Sequence, residues 1–225
     1  MRKEIEIIEK AFSKPLPGIE IQRLMSPSVR FTGSVKHDPN KARKSSVLLL
    51  LYKKEGVWYI PLIQRPTYKG AHSGQVSFPG GKTEDRDVSI LDTALRESEE
   101  EIGVKRNGIQ FISELTPLYI PNSNFMVYPQ VCITSSSPVF KADKREVESI
   151  IEAPVAQLLA PQTIHHFSRR INGVQVDAPF YNIHGYVIWG ATAMIVSEFL
   201  HLIKHIDLFN LQSHSYSACN APEYQ

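Results

Sequence analysis

Two runs of strand-forming residues, 46–52 and 58–64, flank a short turn whose Gly56 suits a reversal of the chain, so this stretch reads as a β-hairpin. Leu48–Leu51 form an unbroken apolar core to the first run, and both runs are read as core strands. Strand character recurs at 109–115, 125–133, 163–167 and 174–181. Between these lie helical segments: 1–12, about 89–102, a short one at 154–159, and a long apolar one at 184–206. Strands interleaved with helices and no internal repeat predict a mixed α/β domain.

The chain of 225 residues allows one sizeable core. The expected organisation is a single domain over residues 1–209, of which 1–44 are an N-terminal helix and an arm. The arm, 14–30, carries Pro15, Pro17 and Pro27 and reads as irregular, and 37–44 as a loop. Residues 210–225 are polar and aperiodic, which predicts a flexible tail. The region 68–82, with four glycines, reads as loop with at most one short strand through 75–78.

Lys and Arg number 25 against 23 Asp and Glu, and the basic residues are scattered, so no nucleic-acid partner is expected. Residues 186–203 are interrupted by Ser197, Glu198 and His201, so they read as a buried helix and no membrane partner is expected. Cys132 and Cys219, the two cysteines, stand far apart with no metal-type spacing, which fits a reduced, cytoplasmic compartment.

The informative segment is Gly80-Gly81-Lys82 followed by Arg96-Glu97-Ser98-Glu99-Glu100-Glu101-Ile102-Gly103-Val104. On a helix Glu97 stands three and four residues from Glu100 and Glu101, so the three carboxylates share a face, while Glu99 points elsewhere. Like charges so spaced, near the negative end of the helix dipole, call for a positive partner. Hard oxygen ligands in this number suit Mg²⁺ or Mn²⁺, whose other positions are filled by water and substrate phosphate. A solvated acidic face is the bland alternative, and the preceding Phe78-Pro79-Gly80-Gly81 weighs against it, because its glycines let backbone approach a ligand closely.

This segment resembles the Nudix box, G-x5-E-x7-R-E-U-x-E-E-x-G-U with U a bulky apolar residue. Gly81, Arg96, Glu97, Glu100, Glu101, Gly103 and Val104 match it. Ser98 departs from U, the interval from Gly81 to Arg96 is one residue longer, and no glutamate holds the early acidic position, Asp87 lying one place away when counted back from Arg96. The longer interval, together with Leu62-Ile63-Gln64-Arg65 and His72-Ser73-Gly74-Gln75-Val76-Ser77-Phe78-Pro79-Gly80-Gly81, is similar to the coenzyme A pyrophosphatase branch of the superfamily.

The resemblance implies a Nudix-type α/β/α sandwich with a mixed sheet. It also implies metal-dependent cleavage of coenzyme A or its derivatives to 3′,5′-ADP and 4′-phosphopantetheine. Another nucleoside diphosphate conjugate, a dinucleotide or nucleotide sugar, is the alternative substrate, and a non-catalytic nucleotide sensor the alternative class. Glu97, Glu100 and Glu101 are the implied metal ligands, with Glu100, Glu101 and Arg96 the catalytic set. Whether Glu100 binds metal or orients water stays open, as does Glu146 as a further acid. Arg96 is either an organiser of carboxylates or a phosphate contact. Arg65, Gln75, Gly80, Gly81 and Lys82 are the implied substrate-binding residues, and a homodimer is an allowed assembly. His165, His166, His201 and His205 have no partners in the pattern. Trp189 and the other aromatics read as core, stacking on adenine being the other role open to them.

Overall fold

The computed structural model describes residues 1–28, 38–67, 73–171 and 173–210. His72 and the tail from 211 onward, both of which carried expectations, lie outside the described residues. The chain opens with helix α1 (Arg2–Phe12) and the short helix α2 (Ile19–Gln22). The hairpin β1 (Arg43–Lys54) and β2 (Val57–Gln64), the short strands β3 (Val76–Ser77) and β4 (Gly80–Lys82), and helix α3 (Ile90–Ile102) follow. Next come β5 (Ile109–Glu114), β6 (Leu118–Ile120), β7 (Phe125–Thr134), β8 (Ser149–Pro154) and the short helix α4 (Val155–Leu159). The last elements are β9 (Ile164–Ile171), β10 (Val174–Ile183), β11 (Tyr186–Trp189), α5 (Gly190–Ile203) and α6 (Asp207–Asn210).

β1 organises the main sheet. One edge pairs in parallel with β7, from Arg43 opposite Phe125 to Leu51 opposite Ile133. The other edge is shared: Ser45–Val47 pair with β4, while Tyr52–Lys54 pair with β2 through a turn in which Glu55 and Gly56 have φ of 52° and 85°. Two successive positive φ values make the type I′ turn that suits a tight hairpin. Among the described residues β1–β7 is the parallel pairing and the others are antiparallel, so the sheet is mixed.

The unbroken apolar run has a physical reason, because both faces of β1 are covered. Leu48 and Leu50 pack with Ala94, Ile102 and Cys132 under α3, whereas Leu49 and Leu51 pack with Ile8, Phe12, Ile195 and Phe199 under α1 and α5. The molecule is therefore a mixed α/β structure with helices on both faces of its sheet. β9–β11 form a separate three-stranded antiparallel sheet.

Four expectations change. The arm, expected to be irregular, contains α2 and a 3-10 turn at Arg23–Met25, held by hydrogen bonds that Pro15 and Pro17 precede rather than break. The expected loop 37–44 holds a 3-10 turn at Pro39–Lys41 and the start of β1, its first residue lying outside the described ones. The glycine-rich region holds a second strand, β4, because Ser45–Val47 supply backbone partners to Gly80–Lys82. The long helix expected over 184–206 is instead β11 followed by α5; Tyr186–Trp189 pair with β10, and Gly190, with φ of 61°, turns the chain into the helix. Among the described residues no helix is long and apolar enough to cross a membrane.

Candidate active site

Helix α3 starts at Ser89, whose hydroxyl accepts the Asp92 N–H at 3.0 Å, and ends at Gly103, with φ of 73° and its N–H on the Glu99 carbonyl. These caps fix which residues face the sheet. Thr93, Ala94 and Ile102 point inward, and Glu97 and Glu101 are brought against β4.

The three carboxylates of the pattern occupy graded environments. The Glu101 side chain is 2% exposed, Glu97 15% and Glu100 52%. Glu101 Oε2 accepts the Gly80 N–H at 2.8 Å, and its Oε1 lies 3.7 Å from Arg65 Nη2, which is also 3.5 Å from the Gly80 carbonyl. Burial pushes the Glu101 carboxyl up to about 8, opposed by Arg65 and the Gly80 N–H and reinforced by the charges of Glu97 and Glu146. Burial raises Glu97 also, against the pull of Arg96. Glu146, an exposed residue, is thus close enough for its charge to act on both carboxylates.

The two glycines are set by these contacts. A Cβ on Gly80 would meet the Ser46 carbonyl oxygen at 2.3 Å, and one on Gly81 would meet the Glu97 carboxyl carbon at 2.4 Å. Glu97 therefore occupies the space that a side chain at 81 would take.

Arg96 is buried and every N–H of its guanidinium is directed. Nε and Nη2 hold Asp87 at 2.7 and 2.9 Å, Nη1 reaches Glu97 at 2.7 Å and Glu100 at 3.3 Å, and Nη2 also meets the Lys82 carbonyl at 3.1 Å. A guanidinium has five N–H groups, so none remains for a phosphate. Of the two roles the sequence leaves open, the geometry favours organiser of carboxylates. Its partner Asp87 was passed over as a near miss of the early acidic position; the Arg96 fork holds its carboxyl well below the usual range.

Glu100 is placed differently from its two companions. Besides Arg96 it meets Arg86 at 3.2 Å, and Arg86 also holds Glu84 at 2.7 Å. The Lys82 side chain is exposed, and the Gln75 carbonyl accepts the Arg65 N–H at 3.0 Å, which ties the loop before β3 to the end of β2.

Among the described residues no three His, Cys, Asp or Glu side chains close into a ready-made cage. The donor set nonetheless fits Mg²⁺ or Mn²⁺, which is bound through one or two carboxylates with water and phosphate oxygens completing the shell. The buried Glu101 and the partly buried Glu97, whose charges oppose each other, would hold it.

A model of the NUDIX domain matches residues 42–172, the span from the start of β1 to the end of β9. An uncharacterized Nudix hydrolase NudL of Photorhabdus laumondii is 33% identical over 137 residues, covering 61% of this chain and 73% of that protein. Its namesake in Shigella flexneri serotype 5b is 31% identical over 166 residues, covering 73% of this chain and 84% of the relative. Among solved structures, a MutT/nudix family protein from Enterococcus faecalis superposes with a TM-score of 0.48 at 18% identity, over 81% of this chain and 70% of that one.

Proposed function

The chain belongs to the Nudix family of hydrolases, and from that premise we propose that it is a divalent-metal pyrophosphohydrolase acting on coenzyme A or an acylated form of it. The observation that carries the catalytic part is the seating of Glu101 on the Gly80 N–H with Glu97 filling the space at Gly81. Burial raises both carboxyls, and Arg65, 3.7 Å from Glu101, and Arg96, which Glu97 shares with Asp87, only partly oppose this, so the pair favours a further cation when both are ionised.

When bound, a divalent ion neutralises bridging phosphate charge and lowers the pKa of the attacking water. The chain's own groups do the rest. Glu97 and Glu101 would fix the ion's place, Arg96, itself held by Asp87, keeps Glu97 in position, and Glu100, half in solvent, is suited to orient water. Arg65, 28% exposed just after β2, and Lys82, exposed after the glycines, are the cations assigned to substrate phosphates.

Support for coenzyme A comes from the similarity of residues 62–81 to the coenzyme A pyrophosphatase branch. Coenzyme A carries a 3′-phosphate that most nucleotide conjugates lack, and a site that spends a cation on it discriminates. The test offers coenzyme A, its 3′-dephospho analogue, a dinucleotide and a nucleotide sugar with Mg²⁺ or Mn²⁺ and resolves the products. Coenzyme A is expected to exceed the dephospho form in kcat/KM by about tenfold or more, the loss of one charged hydrogen bond. Equal rates would defeat the role of the 3′-phosphate, and faster cleavage of a dinucleotide or sugar conjugate would replace the substrate assignment.

A further inference from the structure

Arg86, in the loop between β4 and α3, is a cation set against the carboxylates of the helix without a part in holding a metal ion. It reaches Glu100 across fourteen residues, Nη2 to Oε1 at 3.2 Å. The loop itself is fastened. The Thr83 N–H is bonded to the Lys44 carbonyl of β1 at 3.1 Å, and the Asp87 N–H to the Glu84 carbonyl at 3.0 Å, which closes residues 84–87 into a turn. The Asp87 carboxylate ties that turn to the helix, accepting the Glu84 N–H at 2.9 Å, the Thr93 hydroxyl at 2.9 Å and the Arg96 fork. Arg86 lies within the turn, so its backbone is fixed relative to Glu100.

The Arg86 side chain is held at two points, with Nε on Glu84 Oε2 at 2.7 Å and Nη2 on Glu100. Among the described residues Glu97 is paired with Arg96 and Glu101 with Arg65, whereas Glu100 is met by two guanidinium groups, Arg86 on Oε1 and Arg96 on Oε2 at 3.3 Å. One N–H on each oxygen fixes the plane of the carboxylate and leaves each oxygen a second lone pair. A group that orients water needs both the fixed direction and the open lone pair. Arg96 by itself would not fix the direction. Its Nη1 lies closer to Glu97, at 2.7 Å, and Glu100 stands half in solvent, where an unheld side chain samples several rotamers.

Folding stability is not a sufficient account of the pair. Arg86 and Glu100 are 63% and 52% exposed, and ion pairs in solvent add little to stability. We propose that Arg86 is a positioning residue of the reaction, which by its hold on Oε1 sets the direction in which Glu100 presents its open lone pairs to the attacking water. This rests on the reading of Glu100 as the group that orients water, with Glu97 and Glu101 holding the ion.

A double-mutant cycle on the full-length protein tests it, using the conjugate that the wild type hydrolyses best. Arg86→Ala should lower kcat by about tenfold, as loss of a supporting partner does, and leave KM unchanged. Arg86→Lys, which keeps the charge, should recover part of the loss. In the Glu100→Gln background Arg86→Ala should have no further effect, because it acts through the carboxylate. Two measurements without turnover accompany the cycle. The melting temperature of Arg86→Ala should match the wild type, and so should its affinity for Mn²⁺ without substrate, followed by electron paramagnetic resonance. An unchanged kcat in Arg86→Ala or in Glu100→Gln overturns the proposal. So does a raised KM with kcat kept, which would make Arg86 a substrate contact, or an equal loss in the Glu100→Gln background. A weakened hold on Mn²⁺ overturns it too, since the effect would then fall on the metal ligands. Each of these outcomes leaves the wild type active and the catalytic reading in place, whereas a wild type that cleaves no conjugate removes that reading and the role of Arg86 with it.

Discussion

At Gly81 the site depends on the absence of a side chain. A methyl group there would sit 2.4 Å from the Glu97 carboxyl carbon and displace it, while the neighbouring pairing of Ser46 with Gly81 is through backbone. Gly81→Ala should therefore leave a cooperative fold but lower Mn²⁺ affinity and kcat/KM by at least about tenfold, as one misplaced ligand does. Mn²⁺ binding followed by electron paramagnetic resonance checks this, and an unchanged affinity would remove Glu97 from the ligand set. Glu101→Gln makes the complementary case. A neutral amide can still accept the Gly80 N–H and costs less to bury than a carboxylate, so the metal-free melting temperature should hold or rise. The rise in melting temperature that Mg²⁺ gives the wild type should disappear, together with turnover. Near wild-type turnover of the variant would show that Glu101 is not a ligand. The i, i+3, i+4 spacing made Glu97, Glu100 and Glu101 legible as a set. Their ranking by burial was not legible, because it comes from how α3 leans on β4, and the pairing of Asp87 with Arg96 across nine residues is made by a loop that has no periodicity to read.

The boundaries of α3 were readable because its ends are chemical: Ser89 at the start and Gly103 in the left-handed region at the finish. Ser89→Ala should cost about 1 kcal/mol and lower the melting temperature by about 2–4 °C without touching kcat. Asp87→Ala acts on the same helix from within. It breaks a pair whose side chains are nearly inaccessible and leaves the Arg96 charge under-compensated, so a loss of about 3 kcal/mol or more is expected, with activity lost as well. Chemical denaturation of both variants compares them; an Asp87→Ala no less stable than Ser89→Ala would mean that the Arg96 fork is ornamental. Where an element was missed, its residues gave no local sign. β4 contains two glycines in three residues and is a strand through the backbone of β1 alone. β11 runs directly into α5 as one apolar stretch, and the switch sits at Gly190. β8 carries Glu152 and ends on Pro154, yet six residues of β2 pair with it.

Glu198 shows why the molecule is more than its Nudix-matched span. It read in the sequence as a polar interruption of an apolar helix, yet its side chain is fully buried at 0% exposure. One carboxylate oxygen accepts the Gly18 N–H at 3.1 Å and the Thr116 hydroxyl at 2.6 Å; the other accepts Gln22 Nε2 at 2.8 Å and the Thr116 N–H at 3.2 Å. Three segments distant in sequence meet on it, so no local pattern could announce the role. The N-terminal helix and the arm bring more than this anchor, since Ile8 and Phe12 of α1 and Met25 of the arm enter the same cluster as Leu49 and Phe199. Burying each such side chain contributes about 1.5–3 kcal/mol, and three of them together rival the roughly 5–15 kcal/mol by which a whole domain is stable. We therefore expect residues 1–41 to be integral to a single domain, and a fragment of residues 42–210 to lack a cooperative melt. The full-length Glu198→Ala variant gives an independent measure, because it takes the acceptor from the buried Gln22 amide and from the part-buried N–H groups of Gly18 and Thr116 and should lose about 3 kcal/mol. Calorimetry on the fragment and the variant decides the matter. A fragment that melts cooperatively within a few degrees of the whole chain and retains its turnover would make the arm an appendage and the matched span the folding unit.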